Sequence, residues 1–153
     1  MSQRDLSELK TLTRRRLRLL WELEQAGGRM SEEDALTARL MREHPEWLDV
    51  WARADELSDA ELEQAGVNPF LHITIHQVVL NQIEGALPAA RDTFEALLAA
   101  GLDPHEAQHR IGEVLTRYIF EVAKQSGTFD EERYIRDLKR VAAKEFRPSR
   151  KRR

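Results

Sequence analysis

The chain contains no cysteine. That excludes disulfides and every thiolate metal site, and it fits a cytosolic protein without requiring one. The amino terminus, Met1-Ser-Gln-Arg-Asp-Leu6, has no apolar core of signal-peptide length. No stretch approaches the ~18 consecutive apolar residues of a membrane span. The expectation is a cytoplasmic protein with no membrane segment. A Gly-rich phosphate loop is also missing, and serine and histidine form no recognisable nucleophile motif.

The 153 residues suit one domain with a real core: 41% are apolar and 33% are charged. The net charge of -3 is unevenly spread. The last seven residues, 147–153, carry five basic side chains and no acid, so the remainder is near -8 (-3 minus +5). An acidic body is a poor general nucleic-acid binder. Arg14-Arg15-Arg16 with Arg18, and the tail Arg150-Lys151-Arg152-Arg153, are the candidates for an RNA contact. No aromatic residues interleave with them to stack bases, which favours a solvated helix face and a disordered end. A homo-oligomer is compatible with the sequence, which names no other partner.

The punctuation is helical throughout. Leu6, Leu9, Leu12, Leu19, Leu20 and Leu23 recur at helical spacing and stop at Gly27-Gly28. Ser31-Glu-Glu-Asp34 resembles a capping box and starts a helix that should end near His44, before Pro45. A short helix holds Trp47, Leu48 and Trp51. Ser58-Asp-Ala-Glu61 is a capping box flanked by Leu57 and Leu62, closed at Gly66. Asn68-Pro69 then caps a helix to about Glu84, Pro88 starts one that Gly101 stops, and Asp103-Pro104 caps a long one to about Ser126. Asp130 starts the last, through Phe146. The β-branched stretch from His72 to Leu80 competes as a buried strand, but the Asn-Pro cap and the length favour helix. The fold predicted is all-α, a multi-helix bundle of about six or seven helices. One domain spans 1–146, with amino-terminal helices at 3–66 packed on a core bundle at 68–146 and a disordered basic tail at 147–153.

Four of the five histidines form two i,i+4 pairs, His72/His76 and His105/His109, each placing two rings on one helix face. Scattering five histidines at random gives two such pairs in roughly one chain in a hundred, counted by helical template. Short connections make sequential helices antiparallel, so the helices starting at Pro69 and Pro104 run parallel. The pairs lie ~4.5 and ~10.5 Å beyond Pro69, and ~1.5 and ~7.5 Å beyond Pro104, at overlapping depths. His72 and His76 share a face with Val79, Leu80 and Ile83. His105 and His109 align with Gly112, Thr116 and Phe120, a strip expected to be a second buried face. Buried unpaired polar groups cost roughly 1–3 kcal/mol each, and a divalent metal would satisfy several at once. Imidazole suits zinc, iron, nickel or copper, with zinc or iron the leading choices. The candidate ligands are His72, His76, His105 and His109, with Glu113 as a fifth ligand or hydrogen-bond acceptor and His44 as a further contributor. Two helix N-termini disfavour a cation, so Glu106, Glu113 or an anionic ligand must offset it. An ion-free histidine network in an interaction or RNA-contacting module is the rival. His105-Glu-Ala-Gln-His109 also matches H-E-x-x-H, in which Glu106 would be the general base of a metal hydrolase. The motif starts directly after Pro104 with no strand to hold a substrate, which argues against a protease.

At Asn68-Pro-Phe-Leu-His72-Ile-Thr-Ile-His76 and His105-Glu-Ala-Gln-His109-Arg-Ile-Gly-Glu113, the chain resembles the domain-of-unknown-function family numbered eighteen forty-one. The likeness runs from His44-Pro-Glu-Trp47 through Phe129-Asp-Glu-Glu-Arg-Tyr134. It implies a small, mainly helical bacterial protein and brings no activity. The arginine-rich first helix and the basic tail look peripheral to it.

Overall fold

The computed structural model describes residues 3–63, 68–125 and 127–145. Among them are eight α-helices and no strand: α1 (Gln3–Gln25), α2 (Glu32–Arg42), α3 (Leu48–Ala52), α4 (Asp59–Glu63), α5 (Pro69–Asn81), α6 (Pro88–Ala99), α7 (Pro104–Gln125) and α8 (Glu131–Glu145). This is the all-α bundle expected, with α3 and α4 the short helices expected around Trp51 and after Ser58. None of the described helices is long and apolar enough to cross a membrane. Gly66, Ser126, Phe146 and the tail at 147–153 lie outside the described residues. The chain divides into two compact units, Met1–Thr74 and Ile75–Arg153, and α5 runs unbroken through the division.

In the first unit, α1 packs on α2 and α3. Leu17 and Leu20 of α1, Ala38, Leu40 and Met41 of α2, and Trp51 of α3 are all buried. Gly27, at φ 67°, supplies the left-handed residue that ends α1. The Ser58 box is complete: Ser58 Oγ accepts from Glu61 N–H, and Glu61 accepts from Ser58 N–H at 2.7 Å. The Ser31 box is half made. Ser31 Oγ accepts from Asp34 N–H at 3.1 Å, but the Asp34 carboxylate turns to Arg16 at 2.7 Å. The arginines of α1 therefore brace the unit. Arg14 donates to the Leu57 carbonyl at 2.6 Å, pairs with Asp59 and lies over Phe70; Arg18 pairs with Asp55 at 2.7 Å and with Glu22 at 3.1 Å.

In the second unit, α6, α7 and α8 pack on one another. The core joins Val79, Ile83, Ala90, Leu97, Ile111, Val114, Leu115, Tyr118, Tyr134 and Leu138. The helix expected to reach Glu84 stays α-helical only to Asn81. A π-helical turn follows over Gln82–Ala86, where Leu87 N–H reaches back five residues to the Gln82 carbonyl and Gly85 takes φ 149°. The second strip of α7 buries Gly112 and half-buries His105, His109 and Thr116, but Phe120 at its end is 52% exposed. The two-faced burial expected for α7 thus fails in its last turns.

Both tyrosines of the chain sit in this core. Tyr134 O–H donates to Gln82 Oε1 at 2.7 Å, and Tyr118 O–H donates to Asp137. Burial pushes both phenols up to about 12, and for Tyr118 the Asp137 carboxylate adds to the rise. In return the Tyr118 hydroxyl holds the Asp137 carboxyl below its ordinary range. Folding therefore favours the neutral phenols. That contribution is complete below about pH 10, the unfolded tyrosine value, and is lost as pH rises toward 12. An absorbance titration of the native protein should show no phenolate step near pH 10. A step for either tyrosine near 10 before unfolding would contradict this burial.

Candidate metal centre

In the first unit the centre begins with a broken helix. Pro45 forces His44 out of helical geometry, to φ -119° and ψ 70°. The ring turns inward and is 1% exposed. A carbonyl oxygen can only accept, so the 2.7 Å contact with Leu40 O places the proton of a neutral His44 on Nδ1. His44 Nε2 then presents its lone pair to His72 Nε2, 3.0 Å away. Trp47 stacks on His44 at 5.2 Å with the planes 10° apart, and its edge meets His72 at 5.0 Å. Trp51, fully buried, meets Trp47 at 6.0 Å and donates its indole N–H to the Met41 carbonyl at 3.0 Å.

The second unit repeats the arrangement. His76 is 2% exposed, and its Nδ1–H donates to Gln108 Oε1 at 3.1 Å. Its Nε2 lies 2.9 Å from His109 Nε2. His105 stacks on the His76 ring at 5.1 Å and stands 4.3 Å from the His109 ring. His76 meets Gln108 and His109 of α7, and Gly112 of α7 approaches Ile75 and Val79 of α5. Gly112 is the close approach: a Cβ there would lie 3.1 Å from Ile75 Cγ2.

His72 and His76 stand one turn apart on α5. His44, His72, His76 and His109 each offer one ring nitrogen, and all four nitrogens lie within 4.8 Å of one another. Of the residues singled out from sequence, His72, His76, His109 and the further contributor His44 fall in this group. His105 lies against the rings of His76 and His109, and His44 takes the fourth place. Glu113 is exposed on α7. Glu106 is exposed and occupied at the helix start, where it accepts from Asp103 N–H at 3.3 Å while Asp103 Oδ1 accepts from Glu106 N–H at 3.0 Å. Helical periodicity could not find His44, which sits in a turn; Pro45 and the nearby Trp47 were the available signals.

Such a cluster is compatible with metal binding. With metal–nitrogen bonds of about 2.0–2.1 Å, ligand nitrogens lie about 2.9 Å apart at a right angle and about 3.4 Å apart at the tetrahedral angle. The 2.9 and 3.0 Å separations match the first value. Without an ion, the same geometry needs His72 and His109 to carry their protons on Nε2 and donate to His44 and His76.

The family model described as "Domain of unknown function (DUF1841)" matches residues 10–140. The match takes in most of α1, so the arginine-rich helix is part of the shared region, while the basic tail lies beyond it. No curated protein and no solved structure matches the chain.

Proposed function

We propose, for a chain that belongs to the DUF1841 family of unknown function, that it binds a divalent metal through His44, His72, His76 and His109. The observation that carries this reading is the pinning of the outer nitrogens. His44 Nδ1–H is tied to Leu40 O and His76 Nδ1–H to Gln108 Oε1, and both Nε2 atoms turn to another imidazole. Metal-binding histidines are held in this way, the second ring nitrogen donating to a carbonyl or carboxylate that fixes tautomer and orientation. Four imidazoles with no thiolate favour zinc or iron among the common ions. His105 supports the rings of His76 and His109.

Imidazole NMR during a zinc titration separates this reading from an ion-free network. Zinc should move the protons of His72 and His109 from Nε2 to Nδ1 while His44 and His76 keep theirs on Nδ1. Gln108→Ala should weaken zinc binding about 10–100-fold, the usual cost of losing such a partner. Tautomers that do not change with excess zinc would leave a structural histidine network and end the metal reading.

A further inference from the structure

A cleft of about 470 Å³ is walled by Leu102, Glu106, His109, Arg110 and Glu113. His109 belongs to both the cleft and the group of four ring nitrogens. His44 and His76 are sealed, at 1% and 2% exposure, whereas His109 is half-buried. Glu106, His109 and Glu113 follow one another at i, i+3 and i+7, a single row along α7. Both carboxylates are exposed. Arg110, also exposed, is drawn toward Glu145 at 3.5 Å.

An ion that ends among buried imidazoles needs an entry path and must exchange its water for nitrogen. We propose that this cleft is the port through which a hydrated divalent cation reaches the histidines. Glu106 and Glu113 hold the ion through its water shell, and His109 is the first imidazole to displace a water from it. The inference rests on the metal reading above. It assigns the two glutamates a kinetic role and leaves the final ligand set to histidine.

The test is stopped-flow mixing of Co²⁺ with the metal-free full chain, followed by the absorbance of the bound ion. Glu106→Gln/Glu113→Gln should slow association about tenfold at low ionic strength, the modest end of electrostatic steering. Glutamine keeps the capping arm at position 106, so the helix start survives. Arg110→Gln should speed association. Both differences should vanish near 1 M salt, where the screening length falls to about 3 Å. The amount of cobalt bound at saturation should be the same in all variants. An unchanged rate in the double glutamine variant, with cobalt still bound, would overturn the port. Lost stoichiometry in that variant would also overturn it, by making the glutamates ligands. No cobalt binding by the parent chain would overturn the metal reading and the port with it.

Discussion

Gly112→Val should weaken metal binding about 100-fold, the upper range for loss of a group that positions a ligand, while helix content stays near that of the parent chain. Gly112 is buried one turn beyond His109, at the close approach of α7 to α5. A methyl group there meets Ile75 Cγ2 at 3.1 Å, a contact that requires the isoleucine to give by a few tenths of an ångström. The branched valine has no such relief, so α7 must move off α5. His76 and His109 lie on those two helices, with ring nitrogens 2.9 Å apart. A site tolerates only about 0.5 Å of ligand displacement. Overpacking should also cost about 1–3 kcal/mol of stability. Gly112→Ala is the control, because alanine returns about 1 kcal/mol of helix propensity against its tighter contact. Competition with a chromophoric chelator reads the affinity, and circular dichroism reads the helix. Parent-like affinity in the valine variant would mean that the spacing of α5 and α7 does not set the site.

Trp51→Ala should destabilise the first unit by about 3–5 kcal/mol, as large-to-small substitutions of buried aromatic residues do. Trp51 is fully buried and packs edge-on to Trp47 and Phe70. It also donates to the Met41 carbonyl near the end of α2, three residues before His44. Removing it takes the support from behind Trp47, whose ring stacks on His44. Metal affinity should therefore fall as well, although the indole is not a ligand. Urea denaturation of the metal-free protein reads the stability loss separately from the loss of binding. A loss below about 1 kcal/mol would contradict the core assignment, since core truncations of this size cost several times more.

Helix starts were readable because each is a local contract between one side chain and a few backbone groups. Asn68 Oδ1 accepts from Phe70 and Leu71 N–H, and Asp103 Oδ1 accepts from Glu106 N–H, within three residues of each cap. Long-range choices were not. Asp34 looks like the closing arm of a capping box, yet Arg16 of another helix takes it. The run Arg14 to Arg18 reads as a basic surface until Asp34, Asp55 and Asp59 arrive from distant positions. The histidine pattern identified the α5 and α7 faces, but ring depth decided the group of four. His105 is one residue into α7 and lies flat on His76, whereas His44 is buried by a proline-bent turn that no periodicity reports. Glu106 illustrates a motif with two meanings: the residue that would be the base of H-E-x-x-H is the capping partner of Asp103.

Elemental analysis by plasma mass spectrometry, on tag-free protein and on His76→Ala/His109→Ala in parallel, decides whether these histidines hold an ion. Near-stoichiometric zinc or iron is expected in the parent and none in the folded double variant. Parent protein that stays metal-free after incubation with zinc, iron or manganese, or a double variant that keeps its metal, would contradict the metal reading.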